Sequence, residues 1–344
     1  MNMSNEVLVA VGESVQQALD AAGPGATVRL AEGSHAGNLW IRHSGVTLVG
    51  AGSGATVLTP GAVTPAQLPP LHDAPPDVIN GIGIHGEGVR DVTIKGLAVR
   101  GFSGAGVYVH SATGVHIEDV HVVQNAVWGI YLRESSRLEV LHCKASGSQY
   151  AGIGISFCPE AKAHVRHCES FANAFGIFVD NSSFAKLLRN TCHGNAAGIL
   201  MLNQIYAGEL PGGVSDCLVA DNDIYGNTLA SGGNPEGLGA AGPPISGVGL
   251  SMIGTTRVTA VGNRVRGNHP GGPSVMNAGI VVGSSKDWGG DDPFDNYLLW
   301  NESYDNSPLD IAVADNIPPQ HLANNKALAT APEKIDGCAA PETP

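Results

Sequence analysis

The sequence predicts an all-β chain: a single right-handed parallel β-helix of roughly ten to eleven coils, 22–24 residues each, with an N-terminal capping helix. Three observations carry this prediction. Gly106, Gly129, Gly152, Gly176 and Gly198 each open a Gly–apolar–x–apolar segment (GVYV, GIYL, GIGI, GIFV, GILM), at spacings of 23, 23, 24 and 22 residues. A second short segment follows at VTI from Val92, VHI from Val115, LEV from Leu138 and AHV from Ala163. Four later copies share Asn-x4-Asn, at Asn190/Asn195, Asn222/Asn227, Asn263/Asn268 and Asn301/Asn306. Leucine-rich repeats have a similar period but need Leu-x-x-Leu-x-Leu and a helical half, both absent here. In a parallel β-helix, equivalent residues stack about 4.8 Å apart along the axis. The Asn pairs then stack at bends, where Asn tolerates left-handed backbone and its amide bonds the copies above and below.

The elements follow in order. Val15, Ala18, Leu19 and Ala22 have amphipathic helical spacing, Ser14 is the N-cap, and Gly23-Pro24 stops the run. Residues 1–24 are therefore read as the N-terminal cap, 25–316 as the β-helix, and 317–344 as a C-terminal cap and flexible tail. The Gly series extends back to GIGI at Gly81, and forward to GVGL at Gly247, GIVV at Gly279 and DIAV at Asp310. Strand alternation sends positions two and four of each copy inward, for instance Ile130/Leu132 and Ile177/Val179, and all of these are apolar. Positions three and five face outward.

Composition agrees and excludes other classes. Gly accounts for 47 of 344 residues without a Gly-X-Y period, which rules out collagen and asks for many tight turns. Hydrophobic residues at 43% exclude a disordered chain. A net charge of −13 with no long basic face disfavours a nucleic-acid partner. No apolar run is long enough to span a membrane. Met1–Ala10 shows no signal peptide, so a cytoplasmic protein is expected, as monomer or homo-oligomer, with its six Cys as reduced thiols. Cys143 and Cys168 read as stacked core thiols.

The opening ESVQQALDAAGPGATVRLAEGSHAGNLWIRHSGVTLVGAGSGATVL resembles the N-terminal cap and first coils of the pectin lyase-like superfamily. The later copies resemble its parallel β-helix repeat proteins, over roughly Val7 to Asn316. The resemblance implies the fold; the superfamily hosts lyases, epimerases, hydrolases, esterases and inert spikes. Its specific signatures are missing: Asp-Pro-His-Asp of mannuronan epimerases (DAPPD at Asp73–Asp77 lacks the His), Asn-Thr-Asp and Gly-His-Gly of polygalacturonases, Arg-x-Pro-x-x-Arg of pectate lyases, and Gly-x-x-Asp-Phe of pectin methylesterases.

Chemistry is expected on the outward columns of the Gly strand. Position three carries Tyr108, Tyr131 and Phe178; position five carries His85, His110, Arg133 and Asp180. Aromatic rings beside titratable groups suggest a ligand platform, the alternative being a surface covered by loops or another subunit. Long insertions at the ends of this sheet are placed to wall a cleft. Superfamily lyases and epimerases abstract a proton α to a uronate carboxylate. On that pattern His110 is the candidate base, Arg133 the carboxylate clamp, Tyr108 or Tyr131 the acid, and Asp180 a tuning or catalytic carboxylate, with His85 alongside. Phe178, Lys286, Asp287 and Trp288 are candidate substrate-binding residues. The expected function is a lyase, epimerase or isomerase acting on a carbohydrate or small metabolite without an organic cofactor. The alternatives are a glycoside hydrolase pairing Asp180 with Glu209 or Asp287, and a non-catalytic carbohydrate-binding or assembly protein.

Metal candidates are weaker. Asp119, His142 and His167 recur at spacings of 23 and 25, with His116, Glu139 and His164 beside them. The acid-rich stretch Lys286–Asp295 is a possible calcium loop without EF-hand spacing. The bland reading of all of these is a solvated polar face and an ordinary turn.

Overall fold

The computed structural model describes residues 6–61, 77–86, 88–205, 212–232, 242–276 and 278–340. The coils are built of short strands stacked in parallel on their counterparts above and below, apart from one small antiparallel pair, Ala230–Ser231 with Ile245–Ser246. One stack is an eleven-stranded sheet that contains the Gly strands, among them Ile82–His85, Val107–His110, Ile130–Arg133, Ala151–Ser156, Phe175–Asp180 and Ala197–Leu202. The other two stacks merge into one 22-stranded sheet, because in Thr93–Arg100 and Thr113–Val123 the second and third strands run together without a break.

The bore follows the predicted alternation. Ile82, Ile84, Val107, Val109, Ile130, Leu132, Ile153, Ile155, Ile177 and Val179 are fully buried in one continuous apolar core. The repeat glycines are required by close approach: a Cβ on Gly176 would stand 2.4 Å from the Gly198 carbonyl oxygen and 3.0 Å from the Asn195 side-chain nitrogen. One copy is framed differently from the sequence expectation. Ile199 pairs with Leu250 and Ala197 with Val248, so the repeat glycine is Gly249, not Gly247. Leu250 and Met252 fill the bore, while Val248 faces outward.

The Asn stacks form as expected. The Asn222 amide donates to Asn263 Oδ1 at 2.8 Å and the Asn263 amide to Asn301 Oδ1 at 2.9 Å, and each backbone N–H joins the same ladder. The parallel stack runs through Asn195, Asn227, Asn268 and Asn306. These bonds satisfy buried polar groups at the bends, which would otherwise be costly orphans. Cys143 and Cys168 lie in the core, and the Cys168 N–H donates to Asn190 Oδ1 at 3.0 Å, so thiols occupy the column where the Asn stack begins.

Both ends extend beyond the predicted limits. The helix Val15–Ala22 forms with Ser14 as its cap. The strand Glu6–Val9, ahead of it, already pairs with Thr27–Leu30. Gln16 on the helix bonds both the N–H and the C=O of Trp40 at 2.7 and 3.1 Å, closing the exposed edge of the eleven-stranded sheet. At the other end the solenoid runs past residue 316, adding strands His321–Ala323, Asn325–Lys326, Thr330–Ala331 and Cys338–Ala339.

Candidate functional site

The aromatic column does not form an open platform. Tyr108, Tyr131 and Phe178 are only 0%, 1% and 2% exposed, in a second apolar cluster outside the eleven-stranded sheet. Tyr108 stacks on Tyr131 at 5.4 Å, and Trp128 stacks on Tyr131 at 4.1 Å. Tyr150 and Phe175 complete the cover. Each covering ring comes from the residues just before a Gly strand. Gly154 leaves the notch in which the Trp128 indole sits, since a Cβ there would stand 2.4 Å from Trp128 Cζ3. Burial pushes the Tyr131 phenol pKa far up, with the neighbouring Tyr108 and Asp180 adding to it. The acid role expected of Tyr108 or Tyr131, and the substrate-binding role expected of Phe178, are therefore corrected. Outward in a strand means away from the bore, and here it means into a second core.

The titratable column behaves differently. His85, His110 and Arg133 pair in register on adjacent strands. The two imidazoles meet with Nδ1 to Nδ1 at 3.1 Å, and His85 Nδ1 also lies 3.3 Å from the His110 carbonyl oxygen. His110 Nε2 lies 3.4 Å from Glu134 Oε1, and Arg133 Nε donates to that same oxygen at 2.9 Å. One proton arrangement satisfies every contact with neutral rings. His85 carries its proton on Nδ1 and donates to His110, and His110 carries its proton on Nε2 and donates to Glu134. That leaves His85 Nε2 as a lone-pair nitrogen on the opposite edge of a half-buried ring. His110 is 8% exposed with both nitrogens engaged, which does not suit the base role expected of it. Burial lowers the His110 pKa, outweighing the upward pull of Glu134.

Glu134 was not anticipated. It follows the strand at a corner with φ of 49°, outside the alternating pattern. Its only sequence signal is a carboxylate directly after the arginine of the column. Arg133 is corrected in turn: its Nε holds Glu134, and its guanidinium lies 5.6 Å from the Phe157 ring centroid. Asp180 is 3% exposed and accepts from the Gln204 amide at 3.2 Å, which places it beneath the segment after Leu202 and away from solvent.

The structure does not bring Lys286, Asp287 and Trp288 to the histidines. They form one turn of 3-10 helix beside Gly283, seven strands along the sheet from His85, or about 34 Å at the usual spacing. Lys286 pairs with Asp292, and Trp288 walls an apolar cleft of about 360 Å³ with Ile253, Met276 and Val281. Glu209 lies outside the described residues. Among the described residues no group of three or more His, Cys, Asp or Glu side chains is placed to hold a metal ion. Asp119, His142 and His167 occupy successive left-handed corners, with φ of 48°, 52° and 55°. The two rings stack at 5.2 Å and Asp119 accepts from Ser53 at 2.6 Å, so backbone geometry accounts for their period. His116, Glu139 and His164 form a polar ladder on the outer face, with His116 Nδ1 2.9 Å from Glu139. Burial raises the pKa of Cys158 and Cys217 to about 12, which makes neither a nucleophile.

A family model described as a right handed beta helix region matches residues 80–287. Among solved structures, the Azotobacter vinelandii mannuronan C-5 epimerase AlgE4 A-module is similar at a TM-score of 0.66 and 19% identity, covering 97% of each chain. The Dettilon tailspike protein gp208 is similar at 0.60 and 15% identity, covering 95% of this chain and 68% of that one. The pectate lyase Pel9A is similar at 0.53 and 15% identity, covering 93% and 79%. At these identities the likeness concerns the fold. None of the curated proteins compared matches the chain.

Proposed function

The chain belongs to the right-handed β-helix family, and from that premise we propose that it is a carbohydrate-directed enzyme of the lyase, epimerase or isomerase type, working by proton transfer at His85. The observation that carries this reading is the 3.1 Å Nδ1–Nδ1 contact between His85 and His110, backed by Glu134. When His85 Nε2 takes a proton from substrate, the His85 Nδ1 proton can pass to His110 Nδ1. The imidazolium then forms at His110, beside the Glu134 carboxylate, instead of at the ring that touches substrate. A base held by a second group that stabilises its protonated form is the arrangement general-base catalysis requires. Arg133 fixes the Glu134 carboxylate in place through its 2.9 Å bond. No organic cofactor is needed for such a step. The carbohydrate class is supported by neighbours that include a mannuronan C-5 epimerase and a pectate lyase.

The test is solvent exchange. The protein is incubated in heavy water with pooled saccharides, and deuterium at sugar carbons is followed by NMR. His85→Gln should lower the exchange about 100-fold or more while leaving the urea unfolding midpoint in place. Full exchange by His85→Gln sinks the assignment. Saccharide binding with no exchange by the wild type favours the non-catalytic binding protein instead.

A further inference from the structure

The outer face of the 22-stranded sheet changes character along the solenoid. Four successive strands, Lys186–Leu188, Leu218–Ala220, Thr259–Val261 and Tyr297–Leu299, stack in register. Their middle residues, Leu187, Val219, Ala260 and Leu298, are fully buried in the bore, so the first and third residues of each strand face outward. In the preceding coils the first-residue column is polar, with Glu139 and His164 in register with Lys186. After Lys186 it carries no charge, passing through Leu218, Thr259 and Tyr297. The third-residue column of these four strands, Leu188, Ala220, Val261 and Leu299, is apolar throughout, and all but Ala220 are partly exposed. Phe184 and Trp300, 42% and 57% exposed, stand on the two left-handed corners that flank this face. An antiparallel or solvated sheet face carries polar residues toward water, and a continuous exposed apolar patch marks an interaction surface.

We propose that this face binds a second copy of the chain, with the two solenoid axes antiparallel. The charges select that arrangement. A two-fold axis lying along the strands reverses the coil order, setting the first of these strands against the fourth and the second against the third. Leu188 then packs on Leu299 of the second copy, and Ala220 on Val261 of the second copy. Arg257 and Asp216, which pair within one chain at 2.6 Å, meet Asp216 and Arg257 of the second copy, so four charges alternate around the two-fold. Lys186 is exposed and has no carboxylate partner among the described residues. It comes opposite Tyr297 of the second copy, whose hydroxyl donates to Asp295 at 3.3 Å. Arg189 comes opposite Trp300 of the second copy, at the matching corner, with φ of 54° and 53°; a guanidinium over an indole is attractive. A two-fold along the solenoid axis instead sets each strand against itself. Lys186 would then face Leu188, with Asp295 three coils, or about 14 Å, away.

The size is that of a weak dimer. With one further strand on either side, the face measures about 29 Å along the axis and about 20 Å across, by standard strand spacings. That amounts to about 600 Å² on each copy, at the low end for specific interfaces.

Sedimentation velocity over a concentration series tests this, with urea unfolding to confirm the fold of each variant. The wild type should pass from monomer to dimer in the micromolar range. Val261→Glu sets a charge near the two-fold and should weaken the dimer at least about 10-fold. Lys186→Asp and Asp295→Lys should each weaken it, and the two together should restore it, because the opposed pair is then reversed. In a Cys338→Ser background, Leu188→Cys and Leu299→Cys chains should cross-link when mixed under oxidation, and neither should cross-link alone. A monomer at every concentration overturns the proposal and leaves the face to a different partner. A dimer that survives Val261→Glu overturns the choice of face. A double charge variant that dimerises no better than the single ones, or Leu188→Cys chains that cross-link to each other, overturns the antiparallel arrangement.

Discussion

Glu134→Gln isolates the part of the site that strand alternation could not show. The amide keeps an acceptor oxygen 3.4 Å from His110 Nε2 and 2.9 Å from Arg133 Nε, so mainly the charge is lost. At an effective dielectric near 20 a full charge pair at that separation is worth about 5 kcal/mol, an upper bound. Hydrogen bonds to charged groups contribute a net 1.5–3 kcal/mol or so. Glu134 is mostly shielded, so about 2–3 kcal/mol of imidazolium stabilisation at His110 should disappear, a roughly 30- to 150-fold loss in proton-transfer rate. The sign of the pH effect is fixed. Burial lowers the His110 pKa and Glu134 raises it; removing Glu134 leaves burial unopposed. His110 should then take up its proton at still lower pH, and the acid limb of the rate profile should move the same way as the plateau falls. Imidazole nitrogen NMR over a pH series reads this without any substrate. The wild type should show His85 as the Nδ1–H tautomer and His110 as the Nε2–H tautomer. The relay is wrong if Glu134→Gln leaves the His110 midpoint in place or raises it, or if His85 carries its proton on Nε2.

Three further outcomes follow from the packing. Asn263→Ala removes four buried hydrogen bonds, to Val219 O, Asn301 Oδ1, Asn222 N and the Asn222 amide; at about 1 kcal/mol each it should cost about 4 kcal/mol in urea unfolding, and a loss below about 1 kcal/mol would deny the ladder its role. Gly154→Ala places a Cβ 2.4 Å from Trp128 Cζ3, so it should destabilise by about 1–3 kcal/mol and shift the Trp128 emission, and an unmoved emission would contradict the notch. Native thiol titration should find Cys338 the first to react, because Cys143, Cys158, Cys168, Cys192 and Cys217 are buried; rapid labelling of any of those five in the folded protein would show that the bore opens.

Much of the fold was legible because a solenoid repeats its constraints. Most coils have a glycine where backbones touch, an apolar pair in the bore and an Asn or a small polar residue at a bend, so the pattern appears many times. It was misread where spacing alone had to decide. After the insertion before Ser246, Gly247 and Gly249 both fit the motif, and only the spatial neighbours of Gly249 settle the frame: a Cβ there would stand 2.6 Å from Gly279 O and 3.0 Å from the Asn268 amide nitrogen. The site was less legible for two physical reasons. Alternation states that Tyr131 leaves the bore, but not that Trp128 folds over it. Periodicity marks Asp119, His142 and His167 as equivalent, but the shared cause is a left-handed corner that Asp and His tolerate, not a common ligand.

Function in such a chain is better sought where a column breaks its own rule than where it keeps it. The bore column is apolar throughout, and the bend columns, Asn or thiol in most copies, are held by their neighbours above and below. Position three also explains itself once the second core is counted. Position five does not. From Arg42 to Leu202 it passes through His85, His110, Arg133, Ser156 and Asp180, a run that no repeat of backbone geometry demands. Within it the two imidazoles turn their Nδ1 atoms toward one another, which solvation alone would not favour at a surface. Glu134 and Arg133 then hold that contact from one side. A purely structural column would have filled these places with Thr, Ser or Val at lower cost, so the unspent chemistry at His85 Nε2 marks where this β-helix departs from its own architecture.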